Sequence, residues 1–75
     1  MKELVEYIVK GLVDQPDRVN VVEARRGSNV TLELHVSPDD MGRVIGKGGR
    51  VANSIRSLLR VVAAKDGTRV TLDIV

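Results

Sequence analysis

The sequence predicts an α+β fold, ordered helix, strand, strand, helix, glycine loop, helix, strand, with a three-stranded mixed sheet and three helices on one of its faces. Three observations carry that expectation. Val30, Leu32, Leu34 and Val36 alternate with Thr31, Glu33 and His35, and Val70, Leu72 and Ile74 alternate with Arg69, Thr71 and Asp73, the period of half-buried strands. Leu4, Val5, Ile8, Val9 and Leu12, and later Val51, Ala52, Ile55, Leu58, Leu59, Val62 and Ala63, fall at the spacing of an amphipathic helix. Between the strictly alternating stretch and the last strand, the run Gly46-Lys47-Gly48-Gly49 breaks one helical segment from the next. Strands joined by a hairpin lie antiparallel, and strands joined through helices lie parallel by a right-handed crossover, so the sheet is mixed.

The first helix is expected over residues 2–13, with Glu3 and Glu6 near its positive end, and Pro16 within Asp14-Gln15-Pro16-Asp17 ends it. Tyr7 reads as a packing residue on that helix. Val19, Val21 and Val22 mark a strand within residues 18–24 by β-branching, followed by Arg25-Arg26-Gly27-Ser28-Asn29 as the hairpin connection, with both arginines either solvated or touching a polyanion. In the next strand His35 falls on the polar face with Glu33 and Thr31 and has no metal-site companion or nucleophile at a recognisable spacing. Ser37-Pro38-Asp39-Asp40 has the pattern of a helix start, with Ser37 as N-cap, Pro38 at the first position and the two acids in the first turn; helix-start duty accounts for Asp39 and Asp40 better than acid/base chemistry. A short helix then runs to about Ile45, and a longer one spans residues 49–64 with Ile55 in the core. Asp66-Gly67 turns the chain into the last strand.

Composition narrows the function. With 43% hydrophobic residues in 75, the chain is expected to be one folded domain over residues 1–75. The absence of cysteine removes disulfides, thiolate metal sites and cysteine nucleophiles, and fits a reducing cytoplasm. No apolar run reaches the length of a membrane span, and no signal peptide is visible, so no membrane partner is expected. Net charge is only +2, but Arg43, Lys47, Arg50, Arg56, Arg60 and Lys65 are accompanied by no acid anywhere between Met41 and Lys65. A basic segment that contains a glycine loop points to a polyanion.

Glycine lets backbone approach closely and adopt positive φ, so successive N–H groups can face an anion, and a helix beginning at Gly49 adds its positive end. Spacing separates the families that use such loops. A P-loop needs four residues between its first glycine and Gly-Lys and then a hydroxyl; here Gly42 and Gly46 enclose three, and Gly48 stands where the hydroxyl belongs. A dinucleotide loop counted from Gly46 and Gly48 needs glycine at position 51, which is Val51. What fits is Gly-x-x-Gly between two helices. Val44-Ile45-Gly46-Lys47-Gly48-Gly49, the later Ile55 and the order of elements resemble the type II K-homology (KH) domain, which clamps the backbone of about four nucleotides. At this length, with Val13-Asp14-Gln15-Pro16-Asp17 before the first strand, the chain resembles the short bacterial single-KH proteins of the KhpA type.

The resemblance implies a non-catalytic binder of single-stranded RNA, acting as an RNA chaperone or post-transcriptional regulator, with no cofactor. Carried over by position, Gly46, Lys47, Gly48 and Gly49 clamp phosphates, Arg43 and Arg50 flank them, and Val44 and Ile45 form an apolar floor for bases. Arg56 and Arg60, further along the helix, are expected to contribute less. The family also implies self-association or pairing with a larger Jag-type protein that has a KH domain of its own. With one Tyr and no Phe or Trp to stack bases, affinity per domain is expected to be low, which favours a dimer. The rival expectation is a protein–protein scaffold module without direct RNA readout.

Overall fold

The computed structural model describes residues 1–75. Helix α1 spans Lys2–Lys10, strands β1 and β2 span Asn20–Arg26 and Asn29–His35, helix α2 spans Met41–Ile45, helix α3 spans Arg50–Asp66, and strand β3 spans Arg69–Ile74. Short 3-10 turns at Pro16–Arg18, Pro38–Asp40 and Lys47–Gly49 join them. The sheet has the order β1-β2-β3, with β1 antiparallel to β2 and β2 parallel to β3, so the mixed sheet and the three helices are as expected.

The strict alternation of β2 explains why it is central. Val30, Leu32 and Leu34 point to the helices and are buried, while Thr31 and Glu33 face solvent. Across the ladder, Leu34 pairs with Val21 on β1 and with Ile74 on β3, and Leu32 pairs with Leu72. Val5 and Val9 of α1, Val44 of α2, and Ile55 and Leu59 of α3 close the core over this face. Ile55 is therefore a core residue, as its spacing predicts.

Boundaries shift for local reasons. Helix α1 ends at Lys10, three residues before expected, because Gly11 follows: its N–H bonds to the Tyr7 and Ile8 carbonyls, and a residue without a side chain gains little from a further turn. The hairpin is tighter than the polar run suggests. Arg25 and Arg26 belong to β1, and the connection is Gly27-Ser28, with Gly27 at φ 60°. Helix α3 continues to Asp66, where Gly67 stops it in the left-handed region and its N–H bonds back to Ala63 and Ala64.

Three expectations about individual side chains are overturned. Tyr7 is 80% exposed, on the side of α1 away from Val5 and Val9, and takes no part in the core. Leu58, on the rim of the apolar arc of α3, is 44% exposed rather than in the core. Ser37 makes no cap bond; its hydroxyl accepts from Gln15 Nε2 at 3.2 Å.

Asp40 departs furthest from helix-start duty. Only 1% exposed, it accepts the backbone N–H of Asp14 at Oδ1 and that of Gln15 at Oδ2, both at 3.1 Å. A buried carboxylate needs such partners. The result is a strap that ties the α1–β1 connection to the start of α2.

Candidate nucleic-acid interface

Helix α2 is only five residues long and is held by one anchor, Val44, which is 0% exposed. That burial removes Val44 from the expected floor for bases: its side chain faces the core with Leu32 and Leu34, because a helix this short has to spend its apolar face on packing. Ile45, at its end, is 38% exposed.

Glycine is required at the loop for reasons that differ by position. Gly46 has φ 75° and ψ 172°, a region essentially closed to other residues, and a Cβ there would lie 2.5 Å from Val51 Cγ2 and 2.9 Å from the Val51 backbone nitrogen. Close packing of the loop's root against the start of α3 therefore depends on this glycine. Gly48 (φ 65°) and Gly49 (φ 80°) are left-handed, but a Cβ on Gly48 would meet nothing within 4 Å. Lys47 and Gly48 thus form an exposed tip over a rigid root. The Gly49 N–H donates to the Gly46 carbonyl at 3.1 Å and closes the turn.

At the far side of the tip α3 begins, with Gly49 as an N-cap that has no side chain to accept the first-turn N–H groups. The positive end of a 17-residue helix is thus left facing solvent beside Lys47 and Arg50, both exposed. Neither cation has an acidic partner. Arg50, Asn53, Ser54 and Ser57 line a polar depression just beyond the tip. Arg43 behaves differently, because its Nη2 lies 3.1 Å from Asp14 Oδ2.

A second feature was outside the sequence-based site. The outer edge of β3 is unpaired in the sheet, and a groove runs between it and α3, lined by Arg56, Leu59, Arg60, Val70, Thr71 and Leu72. Arg56 lies across it, donating from Nε and Nη2 to the Leu72 carbonyl at 3.3 and 3.2 Å and from Nη1 to Asn53 Oδ1 at 3.4 Å. The available signal was the spacing of Arg56 and Arg60, which puts both guanidinium groups on one face of α3. Which strand that face overlooks follows only from the crossover. Nowhere do three or more His, Asp or Glu side chains converge as a metal ion would need, and no helix is long and apolar enough to cross a membrane.

A glycine loop between two helices, set against a mixed sheet of this order, agrees with the comparison to known proteins: the KhpA/KhpB KH domain matches residues 2–74. The chain belongs to the KhpA/KhpB KH family. Relatives along its whole length include the RNA-binding protein KhpA of Clostridium perfringens, 49% identical with all of both chains covered. KhpA of Halalkalibacterium halodurans is 52% identical over 100% of this chain and 99% of its own. KhpA of Chlamydia trachomatis is 45% identical over 99% of this chain and 95% of its own. No solved structure matches at comparable significance. Within the KH fold, Ile45, Lys47, Gly48 and Arg50 are exposed, Gly46 and Gly49 are half-buried between them, Val44 lies in the core, and Arg43 is drawn towards the α1–β1 connection.

Proposed function

We propose that this KH protein binds single-stranded RNA without catalysis, clamping the phosphate backbone on the Gly46-Lys47-Gly48-Gly49 tip and the N-terminus of α3. The observation that carries the reading is the unpartnered charge of Lys47 and Arg50 beside an uncapped helix start, in a segment without a single acid. The naming of its KhpA relatives as RNA-binding proteins supports it. Bases then lie over Ile45 and along the α3–β3 groove, where Arg56 and Arg60 add charge. The role that goes with this reading is that of a cytoplasmic RNA chaperone or post-transcriptional regulator.

Dimerisation belongs to the same reading, with a second copy or a larger Jag-type KH protein as partner. It is supported by a depression between α1 and α3 whose apolar lining is Ile8, Leu12, Val51, Ile55 and Leu58, with Arg50 and Ser54 completing it on the side of the loop. Two weak sites linked in this way raise avidity about a hundredfold or more over either alone. Sedimentation showing monomer only at tens of micromolar would count against self-association.

The deciding experiment replaces Lys47 and Gly48 together by Asp. Space is open around Gly48, and Asp tolerates the left-handed region better than most residues, so the fold is retained. A charge contact at about 4 Å with an effective dielectric near 20 is ~4 kcal/mol before screening. One third of that weakens binding about tenfold. Fluorescence anisotropy with single-stranded RNA, paired with a circular dichroism melt, reads the outcome. Unchanged affinity in a folded double variant favours the scaffold reading, in which the apolar depression holds a protein and the loop holds nothing.

A further inference from the structure

Among the bases between Met41 and Lys65, Arg43 alone has an acidic partner: its Nη2 lies 3.1 Å from Asp14 Oδ2. What sets Asp14 there does not involve Arg43. The Asp14 N–H donates to Asp40 Oδ1, the Gln15 N–H to Asp40 Oδ2, and Gln15 Nε2 to the Ser37 hydroxyl. Asp40 is buried immediately before α2, and Arg43 follows it by one helical turn on the same face. The main chain of Asp14 is therefore fixed independently of Arg43, and its carboxylate is within reach of α2. Both side chains of the pair stay open to solvent, 58% exposed for Arg43 and 72% for Asp14, so an incoming anion can reach the guanidinium.

We propose that Asp14 stands in for an RNA phosphate at Arg43, so that RNA has to displace an intramolecular carboxylate before α2 can contribute its charge. The inference rests on the RNA-binding reading above. Carboxylate and phosphodiester oxygens both accept from the guanidinium fork, and one edge of the fork holds only one of them. An exposed ion pair contributes little to stability, which suits a competitor that has to leave. Asp14 thereby lowers affinity for RNA that reaches Arg43, whatever its sequence, because the competition is for the phosphate site and not for a base.

The test is Asp14→Asn, which keeps the backbone N–H that Asp40 holds. Anisotropy is measured with labelled single-stranded RNA of randomised sequence across a salt series. The variant binds about threefold tighter at low salt, the size of an exposed ion pair, and its log–log salt slope steepens by about 0.7, one further phosphate on a single strand. Asp17→Asn changes net charge equally, from an exposed position in the same connection without an ion-pair partner, and leaves both values at wild type. Arg43→Gln in the Asp14→Asn background removes the gain. An Asp14→Asn protein identical to wild type overturns the proposal, as does an Asp17→Asn gain of the same size, which would be net charge alone. A wild type that binds no RNA overturns the underlying reading as well, and that result is seen before any variant is compared.

Discussion

Gly46→Ala separates the root of the loop from its tip. The native φ of 75° with ψ 172° costs a residue with Cβ about 1–3 kcal/mol. The contacts add to this: a Cβ would sit 2.5 Å from Val51 Cγ2 and 2.9 Å from the Val51 nitrogen, and a backbone atom at the start of α3 cannot swing aside as a flexible side chain does. Overpacking of this kind costs about 1–3 kcal/mol more. The sum, about 4 kcal/mol, is a large share of the ~5–15 kcal/mol that holds a domain folded. In a chain of this size each kcal/mol moves Tm by about 4–8 °C, so Gly46→Ala lowers it by about 15–30 °C. Gly48→Ala meets no atom within 4 Å and bears only the cost of its left-handed φ, about 1 kcal/mol and about 4–8 °C. Circular dichroism melts of the two variants in one buffer provide the comparison. A Gly46→Ala protein that melts within about 5 °C of wild type refutes the packing argument, because the loop would then have relaxed away from Val51 at little cost.

Three further outcomes are expected. RNA affinity falls with salt at a log–log slope of about −2, three phosphates held by Lys47, Arg50 and a groove arginine; a flat response in an anisotropy titration removes the basic segment from the interface. Asp40→Ala leaves two N–H groups of the α1–β1 connection without acceptors and destabilises by about 3 kcal/mol in urea melts, with Asp40→Asn in between. Tyr7→Ala changes stability by less than about 0.5 kcal/mol, as a side chain outside the core should.

Elements whose periodicity is strict were legible in the sequence, and contacts between distant segments were not. The alternation of Val30, Leu32 and Leu34 can be satisfied only by a strand with one buried face, and the positions of Ala52, Ile55, Leu59 and Ala63 only by a helix. Asp40 does sit in the first turn after Ser37 and Pro38, but the partners of its carboxylate lie 26 and 25 residues away, beyond the reach of a local pattern. The placement of Arg56 was not legible for the same reason: its acceptor is the main-chain carbonyl of Leu72 on β3, which no side-chain pattern reveals. In α2 the apolar pair Val44-Ile45 fixes that one residue packs inward, and only the mounting of α2 against α3 and the sheet decides that it is Val44. Tyr7 misled because aromatic residues usually pack, a tendency that a single exposed ring does not have to obey.

The same distinction between root and tip explains how a short loop can carry function on a small domain. Val44 beneath α2, Val51 against Gly46, and Ala52 and Ile55 in the first turns of α3 fix the two helix ends from inside the core. Asp40 fixes them from the α1–β1 side. Lys47 and Gly48 project beyond these anchors and bury nothing. Charge at the tip can therefore change with little loss of fold, whereas a change at the root alters fold and loop together. On the proposed reading, a phosphate at the tip would meet backbone N–H groups whose positions are already set in folding, so little backbone ordering cost would be added. If the proposed clamp holds RNA, that rigidity partly offsets the missing aromatic platforms, because a backbone clamp gains most when its donors do not move.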